Sequence, residues 1–194
     1  MQEGKLVLFS APSGTGKTTL VRWLLEQPLN LRFSVSATSR PPRPNEVHGI
    51  DYFFLSPEAF REHIEAGAFL EWEEVYTDKY YGTLRSEVEH MLTQGRNVLL
   101  DVDVKGGIAI KRLYGPKALA VFVQPPSIEV LRQRLENRGT DSQAIIDERV
   151  KKAAWELSFA KDFDTVIINN DLETAKADCL ATVSAFLEEA ANRP

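Results

Sequence analysis

Between a short apolar run and a helical stretch lies Ala11-Pro12-Ser13-Gly14-Thr15-Gly16-Lys17-Thr18, which follows G-x-x-x-x-G-K-[ST] except that alanine stands first. Small residues let successive backbone N–H groups curl around the β- and γ-phosphates of a nucleotide. The lysine carries a point charge to the transferred group, and the threonine offers a hydroxyl to Mg²⁺. Gly14, Gly16, Lys17 and Thr18 supply those parts. Alanine at position 11 matters only if that residue must adopt φ > 0, where a Cβ costs about 1 kcal/mol. A Gly/Ser loop followed by a solvated helix lysine has the same composition, but strand, loop and helix in that order are what a phosphate loop requires. The loop speaks for a bound nucleoside triphosphate and leaves the acceptor of the phosphate to be found elsewhere.

Arg40-Pro41-Pro42-Arg43-Pro44 sets two arginines three residues apart among prolines that stiffen the backbone. Two convergent guanidinium groups suit a phosphate dianion; a solvated basic turn is the other reading of the same residues. Tyr52, Tyr80 and Tyr81 are further hydroxyl donors, or simply core aromatics. Glu71 stands between Leu70 and Trp72, where a carboxylate is costly unless it receives donors. Guanine offers two adjacent donors, N1–H and N2–H₂, whereas adenine presents a bare acceptor; taken alone, without the motifs around it, Glu71 reads better as an exposed strand residue. Asp101 and Asp103 end the apolar run NVLLDVD, where carboxylates face a ligand crevice or act as strand-end caps. They are expected to have different jobs.

The elements that must hold these residues follow a repeated pattern. Lys5 to Ser10 leads through the loop into a helix over Lys17 to Glu26. The same strand-to-helix succession returns at Asn97 to Asp103 with Val104 to Leu113, at Ala118 to Val123 with Ser127 to Arg138, and at Thr165 to Asn169 with Leu172 to Ala190. Such βα units predict an α/β core with a helix-covered parallel sheet. Between Phe33 and Gly82 the pattern changes: FSVSAT and FLEWEEVY alternate at period two and Ile50 to Leu55 is rich in aromatics, so a small mixed β lobe is expected there. Ser56-Pro57-Glu58 opens a short helix inside it, with Ser56 as N-cap and Pro57 at the first helical position. Asn137 to Gln143 is polar, contains glycine, and is expected to be a mobile flap.

Composition narrows the field. The chain has 194 residues, enough for one domain with a lobe or two. Its formal charge of −5 gives no global positive field to draw in nucleic acid or an anionic bilayer. A single cysteine, Cys179, forms no internal disulfide, and His48, His63 and His90 are too scattered for a zinc cluster. The longest apolar run, Ala118 to Val123, falls far short of the roughly 20 residues of a spanning helix, and the N-terminus lacks a signal layout. A cytoplasmic protein is expected, with no membrane and no nucleic-acid partner.

The loop Ala11 to Thr18, then FSVSATSRPPRPNEVHGIDYFF, FLEWEEVYTDKYYGT, LLDVDVKGG, RLENRGTD and VIINND, in this order and spacing, closely resemble guanylate kinases over essentially the whole chain. The resemblance implies a single P-loop domain with a core of residues 1–32 and 84–194, a GMP-binding lobe of about 33–83 and a lid of about 137–146. It implies transfer of the γ-phosphoryl of ATP to GMP, with Mg²⁺, within purine nucleotide metabolism, with dGMP also accepted, by a monomer or homodimer. By that resemblance Ala11, Pro12, Ser13, Gly14, Thr15, Gly16, Lys17 and Thr18 bind ATP together with Arg138, Arg149 and Asn169, the last near adenine. Arg40, Arg43, Tyr52 and Tyr81 hold the GMP phosphate, while Ser36, Glu71, Thr83 and Asp103 read guanine. Lys17, Arg40, Arg138 and Arg149 serve the transfer itself, Thr18 binds Mg²⁺, and Asp101 holds its water shell. Lys105 stands where a glutamine is common and Ala11 where a glycine is; neither removes a group the chemistry needs.

Catalysis would then be alignment of two anions and neutralisation of their charge, with no protein nucleophile, and the lobe and flap are expected to close only when both substrates are present. Three other classes remain in view. A sugar-phosphate kinase has no use for Glu71, Ser36 and Thr83 as a guanine-reading set. A non-catalytic binding module typically has a degraded phosphate loop, whereas Lys17 and Thr18 are present here. A regulatory GTPase needs an Asn-Lys-x-Asp tetrad, and Asn169-Asn170-Asp171 lacks the lysine.

Overall fold

A computed structural model describes residues 3–139 and 141–188. Five strands, β1 (Leu6–Ser10), β2 (Leu31–Phe33), β7 (Asn97–Asp101), β8 (Ala118–Gln124) and β9 (Thr165–Ile168), form a parallel-strand sheet in the order β2-β7-β1-β8-β9. Every residue of β1 is buried, as are the first six of β8. This is what continuous apolar runs predict for strands covered on both faces. The helices α1 (Lys17–Leu25), α3 (Arg85–Thr93), α4 (Val104–Tyr114), α5 (Ile128–Arg138), α6 (Gln143–Leu157) and α7 (Leu172–Glu188) flank it. The last two residues of the helix expected to reach Ala190 lie outside the described residues.

A second, mixed sheet has the order β4-β3-β6-β5, from β3 (Ala37–Thr38), β4 (Phe53–Phe54), β5 (Phe69–Tyr76) and β6 (Lys79–Leu84). β3 runs parallel to β4 and antiparallel to β6, and β5 pairs antiparallel with β6. The chain divides into two compact units, Met1–Leu6 with Arg32–Leu99 and Val7–Leu31 with Leu100–Pro194. The first contains the mixed sheet and a core of Ala37, Phe60, Phe69 and Tyr80, in which Phe60 stacks on Phe69 at 4.4 Å between ring centres. The second contains a cluster of Leu131, Leu135, Ile146, Val150 and Ala153 on α5 and α6.

Helix α2 (Pro57–Glu65) starts as expected: the Ala59 N–H donates to Ser56 Oγ at 3.1 Å, and Pro57 occupies the first turn. Three local readings change. The alternating stretch FSVSAT is not one strand, because Leu31–Phe33 joins the large sheet and Ala37–Thr38 the small one. β7 stops at Asp101, and Asp103 is the N-cap of α4, its Oδ1 accepting from the Gly106 N–H at 2.6 Å. Two positions apart in one strand the carboxylates would share a face; it is the change from strand to cap that separates their jobs. Tyr80 is buried in the core while Tyr81 is not, since neighbours along β6 point to opposite faces.

Candidate active site

The loop after β1 turns back on itself through Gly14 and Gly16, whose φ values of 92° and 91° lie in the left-handed region that a Cβ disfavours. Gly16 is also the N-cap of α1, so Lys17 is its first helical residue and Thr18 its second. Loop residues Ala11 to Thr18 line a cavity of about 420 Å³ together with Thr19, Asp101, Val102, Asp103, Arg138 and Glu156. Unpaired N–H groups of a helix start, pointed into such a cavity, are suited to an anion. Lys17 Nζ donates to Asp101 Oδ1 at the end of β7.

Arg138 is the last residue of α5, which ends there because Gly139 takes φ 65°. Arg149, on α6, donates from Nη1 to Ser13 Oγ at 3.0 Å and pairs through Nη2 with Asp141 Oδ1 at 3.3 Å. Asn169 is buried, and its side-chain amide donates to the Thr15 carbonyl at 2.7 Å, so it braces the loop directly. Its own carbonyl accepts from Arg134 Nη2 at 2.9 Å. Lys105 reaches over the Trp155 ring at 5.4 Å, on the surface of the same unit.

In the other unit, Arg40, Tyr52 and Tyr81 come together. The Arg40 guanidinium lies 5.0 Å from the centre of the Tyr52 ring, Nε donates to the Tyr81 hydroxyl at 3.2 Å, and the two tyrosine rings meet edge-on at 6.0 Å. Cation–π contact and a fixed hydroxyl partner hold the arginine in one orientation. Glu46 accepts from both Nη atoms of Arg40 at 2.6 and 2.7 Å, and its ion pair with that arginine holds its carboxyl down to about 2. The Arg43 side chain is exposed, whereas its backbone N–H donates to Glu46 Oε2 at 2.7 Å. Glu71 faces Thr83 across β5 and β6, where the register pairs them, and the Thr83 hydroxyl donates to Glu71 Oε1 at 2.5 Å. Their approach needs Gly82: a Cβ there would meet the Glu71 carbonyl at 2.9 Å. Ser36 is half-buried beside β3, its carbonyl accepting from the Phe53 N–H at 2.9 Å.

The structure therefore joins the loop residues with Lys17, Asp101, Arg138, Arg149 and Asn169 in one unit. It joins Arg40, Tyr52 and Tyr81, and separately Glu71 and Thr83, in the other. Glu46, Asp141 and Glu156 are additions that the sequence reading left out. The first two have a signal in hindsight, a carboxylate three residues after Arg43 and another three after Arg138. Among the described residues no group of three His, Cys, Asp or Glu could hold a metal ion, and no helix is long and apolar enough to cross a membrane.

A guanylate kinase family model matches residues 3–189. The chain is 59% identical over 185 residues to the guanylate kinase of Bacteroides fragilis, covering 95% of this chain and 91% of that one. With the guanylate kinase of Porphyromonas gingivalis the identity is 54% over 184 residues, covering 94% and 98%. The crystal structure of guanylate kinase from Anaplasma phagocytophilum superposes with a TM-score of 0.73 at 29% identity, covering 96% of this chain and 88% of that one. From a matched stretch that takes in every residue of the two constellations, the conclusion is direct: this chain belongs to the guanylate kinase family.

Proposed function

We propose that the protein transfers the γ-phosphoryl group of ATP to GMP, giving ADP and GDP. The observation that carries this reading is a phosphate loop with Lys17 and Thr18 in place, lining its own cavity, in a chain that matches the guanylate kinase family from residue 3 to 189. Residues 33–83 serve as the acceptor lobe on a core of 1–32 and 84–194, and residues 137–146 as a lid, of which residue 140 lies outside the described residues.

The loop N–H groups and Lys17 take the ATP phosphates, with Arg138 and Arg149 added from α5 and α6. Asn169 acts from beneath by holding the Thr15 carbonyl, which fixes the loop below the nucleotide. Thr18 and Asp101 line the same cavity and offer the oxygen ligands that Mg²⁺ takes beside substrate phosphates, so the residues present fit that ion. Mg²⁺ bound there would neutralise charge on the phosphates. Arg40, Arg43, Tyr52 and Tyr81 hold the GMP phosphate. Glu71, fixed by Thr83, accepts from guanine N1–H and N2–H₂, with Ser36 and Asp103 as further guanine contacts. All four guanine-reading groups address the base and not the sugar, so dGMP is a substrate as well.

A coupled ADP-release assay with ATP, Mg²⁺ and each of GMP, dGMP, AMP, CMP, UMP and dTMP tests the reading, with Lys17→Ala as the blank. Turnover confined to GMP and dGMP and lost in the variant is expected. Turnover with a pyrimidine nucleotide or AMP in preference to GMP, or with none of them, would overturn it.

A further inference from the structure

Arg40 has five N–H donors, and Glu46 determines which of them remain for a ligand. Nε donates to the Tyr81 hydroxyl at 3.2 Å, Nη1 to the Pro41 carbonyl at 3.1 Å and to Glu46 Oε2 at 2.6 Å, and Nη2 to Glu46 Oε1 at 2.7 Å. Those bonds use four of the five. The two Glu46 contacts close the far end of the guanidinium plane in a fork-to-fork pair, and Pro41 closes one side. What remains, among the described residues, is the second Nη2 hydrogen, on the same edge as Nε, together with the proton of the Tyr81 hydroxyl that Nε has oriented.

Glu46 is itself held by the backbone. The Arg43 N–H donates to Glu46 Oε2 at 2.7 Å, and the Glu46 N–H donates back to the Arg43 carbonyl at 3.1 Å. Between them stand Pro44 and Asn45, the latter at φ 75°, which is the proline-then-positive-φ succession of a tight turn. A carboxylate anchored at both its backbone and its side chain is a fixed stop for a long, otherwise flexible arginine. The pair is well shielded, with 12% of the Arg40 side chain and 17% of the Glu46 side chain exposed, and the carboxyl is charged at any working pH.

We infer that Glu46 is a positioning residue of the acceptor site: by occupying the end of the Arg40 guanidinium it leaves only the second Nη2 hydrogen, beside the Tyr81 hydroxyl that Nε orients, to meet the phosphate of the acceptor nucleotide. This rests on the proposed GMP kinase activity and adds to it a residue that never touches substrate. Without this stop the arginine keeps only its contacts with Tyr52, Tyr81 and Pro41, its guanidinium end samples more orientations, and each productive encounter must first order it. The cost falls on acceptor binding and leaves ATP binding alone.

The test is steady-state kinetics of the intact protein with GMP and ATP varied in turn. For Glu46→Gln the KM for GMP is expected to rise about 10-fold, with the KM for ATP and kcat changed less than about twofold. Glu46→Asp keeps the carboxylate on a shorter arm and recovers part of the loss. In an Arg40→Lys background, where no fork remains to be held, the effect of Glu46→Gln vanishes. A KM for GMP that is unchanged or falls in Glu46→Gln would overturn the inference, the fall meaning that the carboxylate merely dilutes positive charge. Both KM values rising together would also overturn it, as the sign of a general folding role. If Glu46→Gln proves too unstable to assay, Glu46→Asp decides alone: a KM for GMP equal to or below wild type overturns the inference. Absence of GMP turnover in the wild-type protein overturns the kinase reading and this inference with it, whereas wild-type turnover with an indifferent Glu46→Gln overturns this inference only.

Discussion

The side-chain amide of Asn169 donates to the main-chain carbonyl of Thr15 at 2.7 Å, tying the end of β9 to the middle of the phosphate loop across 154 positions of chain. The next residue, Gly16, has φ 91°, and a Cβ built on it would collide with that same amide nitrogen. Gly16→Ala therefore combines left-handed strain of about 1 kcal/mol with displacement of the Asn169 brace. The KM for ATP is expected to rise at least about 10-fold, and Asn169→Ala, which removes the brace without the strain, to give a smaller rise; titration of ATP against both variants checks the order.

Lys17 pairs with Asp101, and the proposed reaction asks the lysine to bring its charge to the transferred group. Lys17→Ala should lower kcat by about 100- to 1,000-fold, in the range found when one preorganised donor to a developing charge is lost. Circular dichroism should show an unchanged fold, because the lysine side chain contributes no core.

Glu71 and Thr83 test the reading of guanine. Thr83→Val keeps the shape of the side chain and removes the hydroxyl that donates to Glu71 at 2.5 Å. A KM for GMP raised by roughly 10-fold is expected, because the carboxylate loses the hydrogen bond that fixes it. Glu71→Gln replaces an acceptor-only group with one that also presents donors to guanine donors, so its penalty should be the larger. Equal KM values for the two variants and wild type would remove both residues from base recognition.

Acid sensitivity follows from Glu46. Its carboxyl is lowered from 4.5 to about 2, first by the Arg40 hydrogen bond and then by the Arg43 backbone N–H. A lowered native value means that the folded state holds this proton less tightly than the unfolded chain. The stability it contributes is full above about 4.5 and is lost as the pH falls towards 2. Urea midpoints measured between pH 6 and pH 2.5 should therefore drop less steeply for Glu46→Gln than for wild type.

The parts legible in the sequence are those fixed by contiguous residues. The loop from Ala11 to Thr18, the buried strands β1 and β8, and the start of α2 at Ser56-Pro57 each depend on neighbours within about one turn of chain, and each stands where expected. What escaped the reading depends on partners far along the chain or on a turn. FSVSAT divides between two sheets because Ser34 donates its N–H to the Leu99 carbonyl, whereas Thr38 and Tyr81 pair across β3 and β6. Tyr80 and Tyr81 are indistinguishable by type and are sorted into core and site only by the facing of β6. Glu46 could be seen as a carboxylate near two arginines, but its choice of the Arg40 fork is made by the turn at Pro44 and Asn45.

Three cations that the proposed chemistry calls on each have an internal counterion: Lys17 has Asp101, Arg40 has Glu46, and Arg149 has Asp141. The ATP phosphates would then enter by ion exchange at Lys17 and Arg149, whereas Glu46 stays on Arg40 and leaves it one free donor for the acceptor phosphate. Outcompeting a resident carboxylate is something a highly charged phosphate can do and a weakly charged metabolite cannot. For a chain with a net charge of −5, the same pairing leaves little for long polyanions to grip, so the sites discriminate by charge density before any base is read.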